Sequence, residues 1–206
     1  MDYHVSSKVE QRGILAGMLL GKARRNQNNF FILHQPKNQA YALFKKSLLE
    51  QITHKSVSVS KVTTRKGKTL IRLEPKLIPL TRVLVKKLFQ GKNKQISSNF
   101  LNYLTPPGIA IWFMDLGYQS CKTKENKIHG LEFTLNTCLS KPENEKIIKY
   151  FLEVWGFKWG LSKGKHGYRL RMGTKEGKRL VNFLNPYIHP SMLSKIQTSY
   201  NTTATT

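Results

Sequence analysis

The chain has 206 residues, with 35 lysines and arginines against 11 aspartates and glutamates, a formal net charge of +24. That length suits one large domain or two small ones, and 39% hydrophobic residues can build a core, which excludes disorder over most of the chain. No apolar run approaches the ~20 residues of a membrane span, the start has neither signal-peptide nor transit-peptide character, and Cys121 and Cys138 form no CxxC pair. An unbalanced charge of this size destabilises a compact fold by self-repulsion unless a polyanion neutralises it, so nucleic acid is the expected partner and a membrane is not. Residues 1–103 carry +16 and residues 104–206 carry +8, so both halves share the charge.

In chain order, residues 12–23 predict an apolar helix rich in small residues. A strand follows at 29–34, then a helix from Pro36 to about Ile52 with Pro36 in its first turn. Ser56–Thr64 and Thr69–Glu74 predict a hairpin around Arg65-Lys-Gly-Lys68, Leu77–Phe89 a helix, and Gly91–Gln95 a polar linker. Pro107–Gly117 predicts a second small-residue helix, with Thr105 as N-cap and Pro106 at the first helical position. Then come a strand at Leu131–Leu135, a helix at Pro142–Trp155, and a hairpin of Phe157–Leu161 with Tyr168–Met172. Helices at Lys175–Leu184 and Pro190–Ile196 follow, and a polar tail, expected to be disordered, closes the chain at 199–206. Helix, strands, helix, hairpin, helix thus occurs twice at an offset near 100 residues, with matching P-K-N-Q and P-E-N-E helix starts. The pattern predicts an α+β fold of two repeats, residues 1–95 and 96–198, monomeric by internal duplication. Gly13, Ala16, Gly17 and Gly21 in one helix and Gly108 and Ala110 in the other suit close helix packing at the seam between the halves.

Leu15-Ala-Gly-Met-Leu-Leu-Gly-Lys-Ala23, Leu104-Thr-Pro-Pro-Gly-Ile-Ala-Ile-Trp-Phe-Met-Asp-Leu-Gly117, Leu135-Asn-Thr137 and the closing segment 185–195 together resemble the single-chain LAGLIDADG homing endonucleases over residues 10–196. The resemblance implies paired motif helices at a pseudo-twofold and two antiparallel sheets forming a saddle on a long DNA site. It also implies one metal-binding carboxylate at the end of each motif helix. Those two positions hold Lys22 and Leu116, neither of which can ligate Mg²⁺. Asp115 adjoins Leu116, but one helical residue turns a side chain by about 100°, so Asp115 is read as a cap or structural residue. The expectation is a chain without metal or other cofactor that keeps the nucleic-acid surface and has lost the cutting chemistry.

The expected contacts are cationic. Arg24 and Arg25 follow the first motif helix, with Lys22 at its end; Lys122, Lys124 and Lys127 follow the second. Lys61, Arg65, Lys66, Lys68 and Arg72 belong to the first hairpin, and Lys163, Lys165, His166, Arg169 and Arg171 to the second. In Tyr168–Met172, period-2 alternation sets Arg169 and Arg171 on one face against Tyr168, Leu170 and Met172 on the other. The six histidines and two cysteines have no zinc spacing, and there is no phosphate-binding glycine loop. Structured RNA, bound within a ribonucleoprotein, is placed ahead of double-stranded DNA because charge and shape matter more there than base-edge readout. Polar residues in Ser56–Thr64 keep the DNA reading open, and an active nuclease with an altered site is a third alternative. The Lys-, Asn- and Ile-rich composition suggests an organelle-encoded protein, with bacterial cytosol as the alternative.

Overall fold

The computed structural model describes residues 3–125, 127–164 and 167–196; Lys165, His166 and the tail at 199–206 lie outside them. Helix α1 (Lys8–Leu20) begins at Lys8 rather than residue 12, because Ser7 and Glu10 form a capping box. The Ser7 hydroxyl accepts the Glu10 N–H at 3.1 Å, and the Glu10 carboxylate accepts the Ser7 N–H at 2.9 Å. The helix stops at Leu20, and Ala23, expected to be helical, opens a strand, β1 (Ala23–Asn26), paired antiparallel with β2 (Asn29–His34). Ala23 is the one apolar residue of β1, and Arg25 shares its side of the sheet, so the sequence carries no apolar alternation.

After a 3₁₀ turn at Pro36–Asn38 come α2 (Gln39–Thr53) and the predicted hairpin, β3 (Ser58–Thr63) and β4 (Thr69–Glu74). Gly67 supplies the left-handed backbone of its tip at φ 74°. Helix α3 (Pro79–Leu88) follows. A two-stranded ribbon spans the end of the expected helix and the expected linker, β5 (Phe89–Gln90) and β6 (Asn93–Lys94), and a one-turn helix, α4 (Ser98–Leu101), follows it. Helix α5 (Pro106–Leu116) has Thr105 as its N-cap residue and Pro106 at its first position, as expected. The second sheet is built from β7 (Gly117–Lys124), β8 (Lys127–Leu139), β9 (Gly160–Gly164) and β10 (Gly167–Gly173). Helix α6 (Lys141–Trp155) lies between β8 and β9, and α7 (Thr174–Leu184) follows β10.

Both sheets are antiparallel and share one topology, β1-β2-β4-β3 and β7-β8-β10-β9, so the α+β duplication read from the sequence is present. Each has one dry face. Phe30, Ile32 and Leu73 fill it in the first sheet, and Leu131, Phe133, Leu135, Leu170 and Met172 in the second. The motif helices α1 and α5 pack on each other along their small residues. A Cβ at Gly17 would lie closer than 3.0 Å to the Gly108 backbone, and one at Gly108 would collide with the Gly13 carbonyl. Backbone against backbone leaves nothing to move aside, so glycine is required at both positions.

Candidate nucleic-acid interface

The chain passes from α1 through the two-residue turn Gly21-Lys22 into β1, and from α5 directly into β7, so both sheets flank the C-terminal ends of the paired helices. Paired cross-strand residues share a face, which lets the register sort each cation. In the first sheet Arg24 pairs with Phe31, Leu33 with Arg72, and Ser60 with Arg72. These side chains occupy the face opposite the core, joined by Asn26, Asn29, Ser58 and Glu74. Arg72 stacks over the Phe31 ring at 4.0 Å and donates to Glu74 at 2.6 Å, while Asn26 donates to the other Glu74 oxygen at 2.6 Å. In the second sheet Tyr118, Ser120, Lys122, Glu132, Arg169 and Arg171 share the open face, with Thr134 buried among them. Arg169 donates to the Tyr118 hydroxyl at 3.0 Å and to Ser162 at 3.1 Å. Glu132 lies 3.0 Å from Lys122 and 3.7 Å from Arg171, beside a shallow depression of about 400 Å³ that Lys158 also lines. Each open face therefore pairs one arginine with one acid, Arg72 with Glu74 and Arg171 with Glu132. Neither Glu74 nor Glu132 stood out in the sequence, because their role depends on partners in other strands.

The expected contacts divide on this basis. Arg24, Arg72, Lys122, Arg169 and Arg171 lie on the open faces. Arg65, Lys66 and Lys68 crown the β3–β4 tip, and Lys124 and Lys127 pair at the β7–β8 tip. Three residues do not join them. Lys61 pairs with Ile71 and Lys163 with Tyr168, which turns both lysines to the helix side of their sheets. Arg25 pairs with Phe30 on the core side, where it donates to the Gln27 carbonyl at 2.6 Å and the Gly91 carbonyl at 3.0 Å, tying the β5–β6 turn to β1.

At the helix ends the structure gathers lysines that the sequence did not single out. Lys45 of α2, wholly buried, places its ammonium 2.6 Å from each oxygen of the equally buried Asp115. The same carboxylate accepts the backbone N–H of Lys22 at 3.0 Å, so Asp115 ties the end of α1 to α5. Burial raises the Asp115 carboxyl, but Lys45 and these hydrogen bonds outweigh it and hold the group below its ordinary range. Burial pushes the Lys45 ammonium down, and Asp115 opposes that. Lys94 of β6 donates to the Leu20 and Gly21 carbonyls at 2.9 and 2.6 Å, where a cation complements the negative end of α1. Burial lowers it to about 8. His34, buried edge-on to Tyr41 with neither ring nitrogen partnered, is pushed down to about 3 by burial and by Lys45, and is neutral.

These residues do not fit a divalent ion. Lys22 brings a cation, Leu116 no donor, and both oxygens of Asp115 are taken by Lys45 at hydrogen-bond distance. Among the described residues no three His, Cys, Asp or Glu side chains cluster as metal ligands. The acid expected to be structural is the hub of a buried ion pair.

Residues 12–180 match the LAGLIDADG DNA endonuclease family, and the chain belongs to it. It is similar to a protein RecA of Mycolicibacterium flavescens, 27% identical over 202 residues, which cover 91% of this chain and 46% of that protein. It is also 31% identical over 110 residues to the cytochrome b mRNA maturase bI2 of Saccharomyces cerevisiae, covering 52% of this chain and 24% of the maturase. The chain thus spans less than half the length of these relatives. Among solved structures, the homing endonuclease I-WcaI bound to its DNA recognition sequence superposes with a TM-score of 0.76 at 22% identity, over 95% of this chain and 88% of that one. The chain therefore has a homing-endonuclease-like nucleic-acid-binding fold.

Proposed function

We propose that this chain, with residues 1–95 and 96–198 as its two repeats, binds nucleic acid through its open sheet faces without divalent metal and without cutting, and that structured RNA is its target. The observation that carries this is the Lys45–Asp115 pair beneath Lys22. Two-metal hydrolysis needs free carboxylates facing the phosphates. Here the single carboxylate at the helix ends is neutralised from within, and Lys22 adds a cation where an acid would repel phosphate. The preference for RNA rests on the +24 charge and on Arg72 and Arg169 held in place by Glu74 and Tyr118, an arrangement suited to a fixed backbone shape. The yeast maturase, named for an mRNA, is compatible with it.

Duplex DNA is the second reading, favoured by Ser58, Ser60, Asn26 and Asn29 on the first open face, side chains of the kind that read base edges, and by the DNA bound to I-WcaI. Purified protein is incubated with duplex DNA and with structured RNA in Mg²⁺ and in EDTA, and nucleic acid crosslinked in the source cell is sequenced. Affinity unchanged by EDTA, no cleavage, and crosslinks to one RNA are expected. Mg²⁺-dependent cleavage at a defined site would overturn the non-cutting reading; crosslinks confined to DNA would replace RNA by the second reading.

A further inference from the structure

The N-terminal turns of α1 lie at the opposite end of that helix from the sheets. Twelve residues separate Lys8 from Leu20, about 18 Å along the axis. There α1 packs beside α3 and leaves a groove of about 380 Å³ with an apolar floor of Pro79, Leu80 and Val83. Its wall is Tyr103, half-buried, with its ring edge-on to the buried Phe100 at 6.0 Å. Two cations converge on that ring. The Lys87 ammonium lies 5.3 Å from its centroid and donates to its hydroxyl at 2.9 Å, and the Arg12 guanidinium stands 6.0 Å away. Lys8 also lines the groove, and Arg82 and Lys86 are further exposed cations of α3. Helix α3 contains no acid, and Glu10, the one acid of α1, is engaged by Ser7.

We infer that this flank is a second nucleic-acid contact, separate from the sheet faces, which takes an unpaired nucleotide: the base against Tyr103 and the apolar floor, the adjoining phosphates on the lysine and arginine rim. Like charges drawn to one ring repel each other, and an anion relieves that repulsion. An aromatic face beside an apolar floor is what a phosphate alone does not need and a base does. A stacking aromatic in a cationic groove is the general chemistry of single-strand binding. A membrane or an acidic protein would use the same charges without needing the ring. Two contacts on opposite ends of α1 would let one chain hold a duplex region and a neighbouring single strand of the same folded RNA.

The test uses the whole chain and two labelled probes, an oligo(U) of about 12 nucleotides, within the usual span of a single-strand site, and a duplex RNA. Tyr103→Leu, and Arg12→Gln with Lys87→Gln, are each expected to weaken oligo(U) about tenfold while sparing the duplex. Tyr103→Phe, which keeps the ring, should bind oligo(U) as the parent does, and Arg171→Gln should weaken only the duplex. Thermal unfolding verifies that each variant is folded. Wild-type oligo(U) affinity in folded Tyr103→Leu, equal loss of both probes in it, or loss of binding to anionic vesicles with oligo(U) retained would each overturn the assignment. Because the probes report separate surfaces, failure of the sheet-face reading shows as duplex binding left unchanged by Arg171→Gln, whatever oligo(U) does.

Discussion

Asp115 and Lys45 show how a single pair decides the character of the helix ends. Removing one partner from a buried ion pair strands the other, at about 3–5 kcal/mol, whereas replacing both with apolar groups is often close to neutral. Lys45→Met is therefore expected to unfold at much lower denaturant than the parent, and Lys45→Met with Asp115→Leu to recover most of the stability in urea titrations. His34 gives a pH signature. Its folded pKa is about 3 against an ordinary 6.5, so between these values the unfolded chain binds a proton that the folded chain refuses. Stability then falls as pH drops below 6.5, by about 1.4 kcal/mol per pH unit for one proton. His189, also lowered by burial, adds in the same direction. Asp115 acts later: its contribution is held above the carboxylate range and disappears only as pH falls through its depressed value. Equilibrium unfolding between pH 6.5 and 4.5 should show this slope, and His34→Phe should flatten most of it.

Among elements, the α1–α5 seam has the least tolerance. Gly17→Ala drives a methyl into the Gly108 backbone, and an overpacking cost of about 3 kcal/mol is expected in thermal unfolding. Gly173→Ala, where a Cβ meets nothing, should cost about 1 kcal/mol or less. Both motif helices, both hairpins and the flanking helices were legible because apolar periodicity and turn residues are local signals. Strands β1 and β7 were not. Arg24-Arg25-Asn26 and Tyr118–Lys124 lack apolar alternation, and they become strands because β2 and β8 offer them hydrogen-bonding edges. Helix α1 began early for a different reason, a capping box ahead of its apolar run.

For the whole molecule, the charge of +24 predicts strongly salt-dependent binding. Removing one cation that touches a phosphate should reduce the slope of log affinity against log salt by about 1. Arg24→Ala and Arg171→Ala are expected to do so, because both side chains are exposed on the open faces. Lys61→Ala and Lys163→Ala, turned to the helix side, should leave the slope unchanged. Equal slopes for all four variants would remove the distinction between the faces.

Net charge, the duplication and the small-residue helices were determined by the sequence alone, since composition and short-range spacing require no knowledge of the fold. The residues Lys22 and Leu116 at the motif ends were visible there too. Only the tertiary structure decided which way each cation faces, because strand register sends alternate residues to opposite sides and the pairing partners are distant in sequence. It also decided that Asp115 meets Lys45, 70 residues away, inside the protein. A buried ion pair leaves no local pattern in a chain; it exists because packing excludes water from both groups at once.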